Sequence, residues 1–159
     1  MPVRSAGLLL YRQDTDSTGS NPGLHVWIAH MGGPFWARKD SHAWSIPKGE
    51  YGDGEVPLEA ALREFAEETG TDLTSVPFPL AIIRQAGGKI VEAFAVEGDL
   101  DPTTVSSNDF ELEWPPCSGR LERFPEVAEA RWMALAEARR LMLPSQLPLL
   151  DALEVKLKG

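Results

Sequence analysis

Between positions 49 and 71 a glycine-rich turn runs straight into a segment with helical spacing, and no other passage restricts the fold as much. It reads Gly-Glu-Tyr-Gly-Asp-Gly-Glu-Val-Pro-Leu-Glu-Ala-Ala-Leu-Arg-Glu-Phe-Ala-Glu-Glu-Thr-Gly-Thr. Pro57, with its fixed φ and missing N–H, is suited to the first position of a helix. A helix opened there predicts a buried stripe of Leu58, Leu62 and Phe65. Glu64, Glu67 and Glu68 then share another face, at i, i+3 and i+4, where like charges repel unless a positive charge sits among them. Two readings account for such a face. It is a solvated acidic surface, or it holds a hard divalent cation, Mg²⁺ or Mn²⁺, which takes oxygen ligands and completes its shell with water and substrate phosphates.

The order of the surrounding residues favours the second reading. The segment resembles the Nudix box, Gly-x5-Glu-x7-Arg-Glu-U-x-Glu-Glu-x-Gly-U, with U a bulky apolar residue. Gly49, Glu55, Arg63, Glu64, Glu67, Glu68 and Gly70 occupy its polar and glycine positions at the required spacing, and Phe65 fills the first U. Thr71 departs from the pattern, which has an aliphatic residue there. It weakens one packing position and leaves the acidic ones untouched.

The rest of the chain agrees with one compact enzyme domain over residues 1–159, a length that can bury a substantial core. A formal net charge of −9 lacks the basic footprint of a duplex nucleic-acid binder. An anionic substrate would therefore need a bound metal or a local group of Lys and Arg. The apolar run Ala6 to Tyr11 is too short to span a membrane and lacks a signal-peptide layout, so no membrane partner and a cytoplasmic setting are expected. Cys117 is the single cysteine. With no motif around it, it reads as a bystander.

Ser5 to Arg12 and Leu24 to His30 read as paired strands around a polar loop from Gln13 to Gly23. Met31 to His42 is an irregular excursion, and Ala43 to Ile46 is a short strand before the Pro47-Lys48-Gly49 turn. Beyond the helix, Leu80 to Gln85 and Lys89 to Glu97 form a predicted hairpin about Ala86-Gly87-Gly88. Gly98 to Pro125 yields one short strand, Phe110 to Trp114. A last strand is predicted over Glu129 to Ala134, then a helix over Leu135 to Leu143. The final helix, Gln146 to Lys156, carries Leu147, Leu150, Leu153 and Leu157 at helical spacing. Strands around a central helix with helices at the end give an α/β fold. The resemblance implies a Nudix-type α/β/α sandwich with a mixed β-sheet.

The same resemblance implies roles. Glu67 and Glu68 match the principal metal-ligand pair, and Glu64 matches a glutamate that binds metal or handles the attacking water. Arg63 matches an arginine that orients carboxylates through an ion pair, a task its planar fork suits. Glu55 supports the loop and Gly70 is a structural position of the box, Gly49 is its turn position and a substrate-binding candidate, and the backbone carbonyl of Lys48 is a further metal ligand. The Lys48 ammonium either meets a phosphate or stays solvated. A carboxylate from beyond the box is sought at Glu126, in the turn Phe124-Pro125-Glu126, in preference to Glu129. Trp44, Phe35 and Trp36 are candidates to stack a base. Arg38, Gln85 and Lys89 are candidates for phosphate or ribose. His25 and His30 read as sheet residues.

Such a site suits hydrolysis of a phosphoric anhydride in a nucleoside diphosphate linked to another group, with Mg²⁺ as the expected cofactor and Mn²⁺ an alternative. The tyrosine that accompanies many dinucleoside-tetraphosphate hydrolases is missing, as is the proline that flags ADP-ribose hydrolases. Ile46-Pro47-Lys48-Gly49 resembles the entry to the box in hydrolases of dinucleoside polyphosphates and diphosphoinositol phosphates. The acidic charge disfavours inositol polyphosphates. A nucleoside triphosphate or dinucleoside polyphosphate is the leading small-molecule substrate. The other class is a binding or sensor module on the same fold. A homodimer through the final helix or the Asp-rich insertion is compatible with the sequence.

Overall fold

The computed structural model describes residues 3–14, 23–34, 36–37, 41–69, 75–85, 88–98, 109–125 and 127–158. In chain order these form β1 (Arg4–Asp14), β2 (Gly23–Met31), β3 (Trp44–Ser45), β4 (Lys48–Glu50), α1 (Pro57–Thr69), β5 (Phe78–Arg84) and β6 (Ile90–Glu97). Then come β7 (Asp109–Glu113), β8 (Leu121–Pro125), β9 (Val127–Ala134), α2 (Leu135–Leu141), a 3-10 turn Pro144–Gln146 and α3 (Leu147–Lys158).

Among the described residues seven strands make one mixed sheet in the order β3-β2-β1-β6-β5, with β4 also on β1 and β9 also on β2. β1 runs parallel to β6, with Arg4 opposite Ile90 and Tyr11 opposite Glu97; the other pairings in this sheet are antiparallel. Successive side chains of a strand point to opposite faces. Leu8 and Leu10 accordingly join Trp27, Phe65 and Val96 on the α1 side, whereas Leu9 and Tyr11 join Ile28, Trp44, Leu141, Leu149, Leu150 and Leu153 on the side of α2 and α3. With helices on both faces this is the α/β/α sandwich. The apolar run Ala6 to Tyr11 is continuous because β1 is covered on both sides, as buried strands with a parallel neighbour are.

The β1–β2 ladder runs from Asp14 opposite Gly23 to Leu10 opposite Trp27. Farther along, the two strands take separate partners: Ala29 and His30 of β2 face Ser45 and Trp44, while Ser5 to Gly7 of β1 face Glu50 to Lys48. β3 and β4, folded at Pro47, thus fill a fork between β1 and β2. The box begins at that fork.

α1 starts at Pro57 as the sequence predicts. Its buried stripe is displaced from the predicted one. Ala60, Ala61, Phe65 and Thr69 are at most 1% exposed, whereas Leu58 and Leu62 are only half-buried. Ala60 and Ala61 pack on Ala6 of β1, so small side chains face the sheet and let the helix approach closely. Phe65 reaches the ring of Trp27 edge-on, with centroids 6.0 Å apart. Thr69 is accommodated in the core because its Oγ1 donates to the Phe65 carbonyl at 2.7 Å.

The insertion holds two strands where one was predicted. β7 and β8 pair as a separate hairpin, with Asp109 opposite Pro125 and Glu113 opposite Leu121. Leu121 is largely exposed, so the burial that makes a strand legible from alternation is missing there. The hairpin rests on the chain after β2 through Phe110, whose Cζ would lie 2.8 Å from a Cβ at Gly33. β9 begins at Val127, earlier than predicted, leaving Glu126 as the one residue between β8 and β9. Helices α2 and α3 are tied by Arg139, which donates to Asp151 Oδ1 at 2.7 Å and to Glu154. No helix among the described residues is long and apolar enough to cross a membrane.

Candidate active site

The box folds around Gly49. β4 places that residue opposite Ala6 of β1, and α1 crosses so that the Glu64 carboxylate occupies the space a Cβ at Gly49 would need. Only glycine permits this seat. The Glu64 side chain is 13% exposed and its Oε1 accepts from Arg63 Nη1 at 3.0 Å. Arg63 also forks onto Glu55, donating from Nε to Oε2 at 3.1 Å and from Nη2 to Oε1 at 3.2 Å, a planar bidentate pair. Glu67 lies 3.6 Å from the same guanidinium, one helical turn along. The hydrogen bond that Arg63 gives to Glu55 and the charges of Glu64, Glu55 and Glu67 hold Arg63 above its ordinary pKa. One cation thus organises three carboxylates that would otherwise repel one another.

The turn leading to α1 is fixed by backbone hydrogen bonds from Tyr51 N–H to the Arg4 carbonyl at 3.1 Å and from Glu55 N–H to the Gly52 carbonyl at 3.3 Å. Gly54 adopts φ +89 with open space around it. Gly54 serves conformation and Gly49 serves proximity. A third glycine, Gly7, was not singled out from the sequence. A Cβ there would meet Ile46 Cδ1 at 2.7 Å and the Pro47 carbonyl oxygen at 2.9 Å. A glycine inside a strand is a signal of close backbone approach, and at Gly7 it lets the Pro47 corner lie over β1.

The other candidates separate. Lys48 is half-buried in β4, beside Gly49. Trp44, proposed as a stacking surface, is fully buried: His30 meets its ring edge-on at 5.0 Å and the Arg131 guanidinium lies 4.8 Å from its centroid. A ring capped in this way leaves no open face for a base, so its aromatic character belongs to the core. Trp36 packs partly buried against the same core. Gln85 donates through Nε2 to Ser145 Oγ at 3.0 Å, linking the end of β5 to the 3-10 turn. His30 is buried with Nδ1 2.8 Å from the Met31 carbonyl oxygen, as fits a sheet residue. Glu129 lies on β9 opposite His30, 57% exposed, with Arg131 at 3.8 Å. Arg38, Phe35, Gly70, Thr71 and Glu126 lie outside the described residues, as does the side chain of Glu68.

The donor set suits a hard cation. It consists of carboxylates, the partly shielded Glu64 among them, and the cradle at Gly49 leaves no room for a competing side chain. Among the described residues no three His, Cys, Asp or Glu side chains close into a cage. Ions of the Mg²⁺ type are held by one or two carboxylates with water and phosphate oxygens supplying the rest.

The family model described as NUDIX domain matches residues 1–153, and the chain belongs to that family. The chain is 40% identical over 57 residues to an RNA pyrophosphohydrolase of Aliivibrio fischeri (strain MJ11), a match covering 35% of this chain and 34% of that protein. It is 38% identical over 63 residues to an RNA pyrophosphohydrolase of Pseudomonas aeruginosa (strain LESB58), covering 38% and 40%. The chain therefore spans well under half the length of these curated relatives. Among solved structures, a C. elegans Ap4A hydrolase binary complex is similar with a TM-score of 0.64 at 22% identity, covering 99% of this chain and 98% of that one. The NUDIX domain of Shewanella oneidensis NrtR complexed with ADP ribose gives a TM-score of 0.64 at 16% identity, covering 99% and 89%. At these identities the likeness is one of fold.

Proposed function

We propose that this protein hydrolyses a phosphoric anhydride bond in a nucleoside diphosphate linked to a further group, with nucleoside triphosphates and dinucleoside polyphosphates as the leading substrates. The observation that carries this reading is the Glu64 carboxylate, seated on Gly49 and held by an Arg63 that also grips Glu55. A merely solvated acidic face would need no such glycine. Glu64, Glu67, Glu68 and the Lys48 carbonyl would hold Mg²⁺ or Mn²⁺. Bound there, the ion supplies charge neutralisation at the diphosphate and a more acidic water.

The chain's own residues do the remainder. Arg63 fixes the carboxylates in place, so that little reorganisation is needed when charge develops. Glu64, shielded from bulk water, is placed to accept a proton. The Lys48 ammonium and Arg38 are assigned to phosphate. Gln85 keeps a substrate role only if its bond to Ser145 is exchanged for one to ligand.

The test is purified protein with Mg²⁺ offered nucleoside triphosphates, dinucleoside polyphosphates, nucleotide sugars, ADP-ribose and 5′-triphosphorylated RNA, with products identified. Turnover of at least one substrate, abolished by excess chelator, is the expected result. Binding without turnover across the panel would instead identify a sensor module.

Glu126, at the junction of β8 and β9, is the proposed carboxylate from outside the box. A group acting in the transition state lowers kcat more than it raises KM. Glu126→Gln is therefore expected to slow turnover by at least about tenfold, near the low end for general acid–base groups. Glu129→Gln, altering an exposed residue with an arginine neighbour, should do much less. Wild-type rates in both would show that the box glutamates suffice.

A further inference from the structure

The apex of the β1–β2 fork is where an ordinary ladder cannot close. On the outer side of β3, Ala43 N–H donates to the Leu141 carbonyl at 3.1 Å and Leu143 N–H to the Trp44 carbonyl at 2.9 Å, so residues 141–143 run beside β3 like an added strand. Pro144 then turns that segment into the 3-10 turn. One residue past the end of β3, Ile46 N–H takes its acceptor from a side chain instead. Gln146 supplies that acceptor.

Its side chain is fully buried. Oε1 accepts from Ile46 N–H at 3.1 Å, Nε2 donates to Ser45 Oγ at 2.9 Å, and Ser45 Oγ donates to the Ile46 carbonyl at 2.8 Å. One amide thus fixes both residues that precede Pro47. From there the path to the site is short: the Pro47 carbonyl accepts from Leu8 N–H at 3.0 Å, and Gly49 lies opposite Ala6 with the Glu64 carboxylate against it.

We infer that Gln146, a hundred residues from Ile46 in sequence, is a positioning residue for the active site: its amide sets where the Pro47 corner, and with it the Gly49 seat of Glu64, comes to rest. The inference builds on the proposed metal-dependent hydrolysis. Leaving Ile46 N–H buried and unpartnered is unfavourable, so without the amide the corner moves to find another partner. Any such movement carries Gly49 with it. Partners standing behind metal-binding groups characteristically change metal affinity by about 10–100-fold when removed.

Gln146→Met keeps the length of the side chain and removes both hydrogen bonds. Ser45→Ala removes one link and is the milder variant should Gln146→Met fail to fold. Leu153→Ala, in the core of α3, is the control for lost stability alone. In metal-free protein, amide hydrogen exchange at residues 46–50 should quicken in Gln146→Met, and to a smaller degree in Ser45→Ala, but not in Leu153→Ala. Titration of Mn²⁺ into each protein, well below its melting temperature, should show about tenfold weaker binding in Gln146→Met, a smaller change in Ser45→Ala and none in Leu153→Ala. Unchanged exchange and unchanged Mn²⁺ affinity in both fork variants would overturn the positioning role while leaving the hydrolytic reading intact. Wild-type protein that binds no Mn²⁺ would overturn the metal reading, and the exchange measurement would still decide whether Gln146 holds the corner.

Discussion

Gly49→Ala should lower kcat/KM at least about a hundredfold, the order of loss that follows from moving a reacting group by roughly 1 Å, with a much smaller change in melting temperature. The disparity comes from what the new methyl group meets. Its neighbours are the terminal atoms of Glu64, the far end of a flexible side chain, which swings aside without disturbing the sheet. Folding tolerates that motion and the site does not. Gly54→Ala is expected to show the reverse balance. At φ +89 with open space around it, an added Cβ strains the backbone by about 1–2 kcal/mol and displaces no carboxylate. Thermal melts and steady-state kinetics on both variants check the pair. Wild-type kinetics in Gly49→Ala would make this turn a generic one.

The box was legible because its chemistry lies within one continuous segment. The spacing of Gly49, Glu55, Arg63, Glu64, Glu67 and Glu68 encodes a turn and a helix face, and local geometry does the rest. Pro57 marks the start of α1 for the same reason. What the sequence did not disclose depends on contacts between distant segments. Helical spacing puts the stripe on Leu58, Leu62 and Phe65; Phe65 is buried, yet Ala60 and Ala61 rather than the two leucines face β1, where closeness matters more than side-chain volume. Trp44 sits beside the active loop in sequence. Its ring direction is set by β3 lying between β2 and residues 141–143, a pairing that nothing near position 44 announces.

Gln146 shows the same limit from the other side. Its place after Pro144 and Ser145, at the start of a leucine-rich helix, gives it the appearance of an ordinary helix-start residue. Its function arises because a proline ends one backbone alignment and an amide continues it. Strand β8 escaped notice because its residues are mostly exposed, so alternation had no buried face to report. The resemblance implied a mixed sheet without saying which strands run parallel; the pairing of β1 with β6 was not predicted, although the unbroken apolar run of β1 is what a strand covered on both faces requires.

The second large effect is expected at the carboxylates themselves. Gln has the shape of Glu, and at position 64 its amide oxygen still accepts the hydrogen bond that Arg63 Nη1 gives to Oε1 at 3.0 Å. Glu64→Gln should therefore keep the fold and the melting temperature. The negative charge is lost, together with the capacity to take a proton. Removing a single preorganised electrostatic group costs about 10²–10³ in kcat, and that range is the expectation, with KM little changed if the group acts mainly in the transition state. Glu68→Gln should likewise remove most turnover, because Glu68 is assigned to hold the cation beside Glu67. The two variants differ in what extra metal restores. If Glu68 binds the ion, raising Mg²⁺ recovers part of the activity of Glu68→Gln; if Glu64 acts on the water, no concentration of Mg²⁺ recovers Glu64→Gln. Recovery of Glu64→Gln by metal alone would leave Glu64 a metal ligand and remove its part in handling the water. Undiminished hydrolysis by Glu68→Gln, or full wild-type activity in excess chelator, would remove the cation from the account and leave Arg63 as the principal positive charge among these carboxylates.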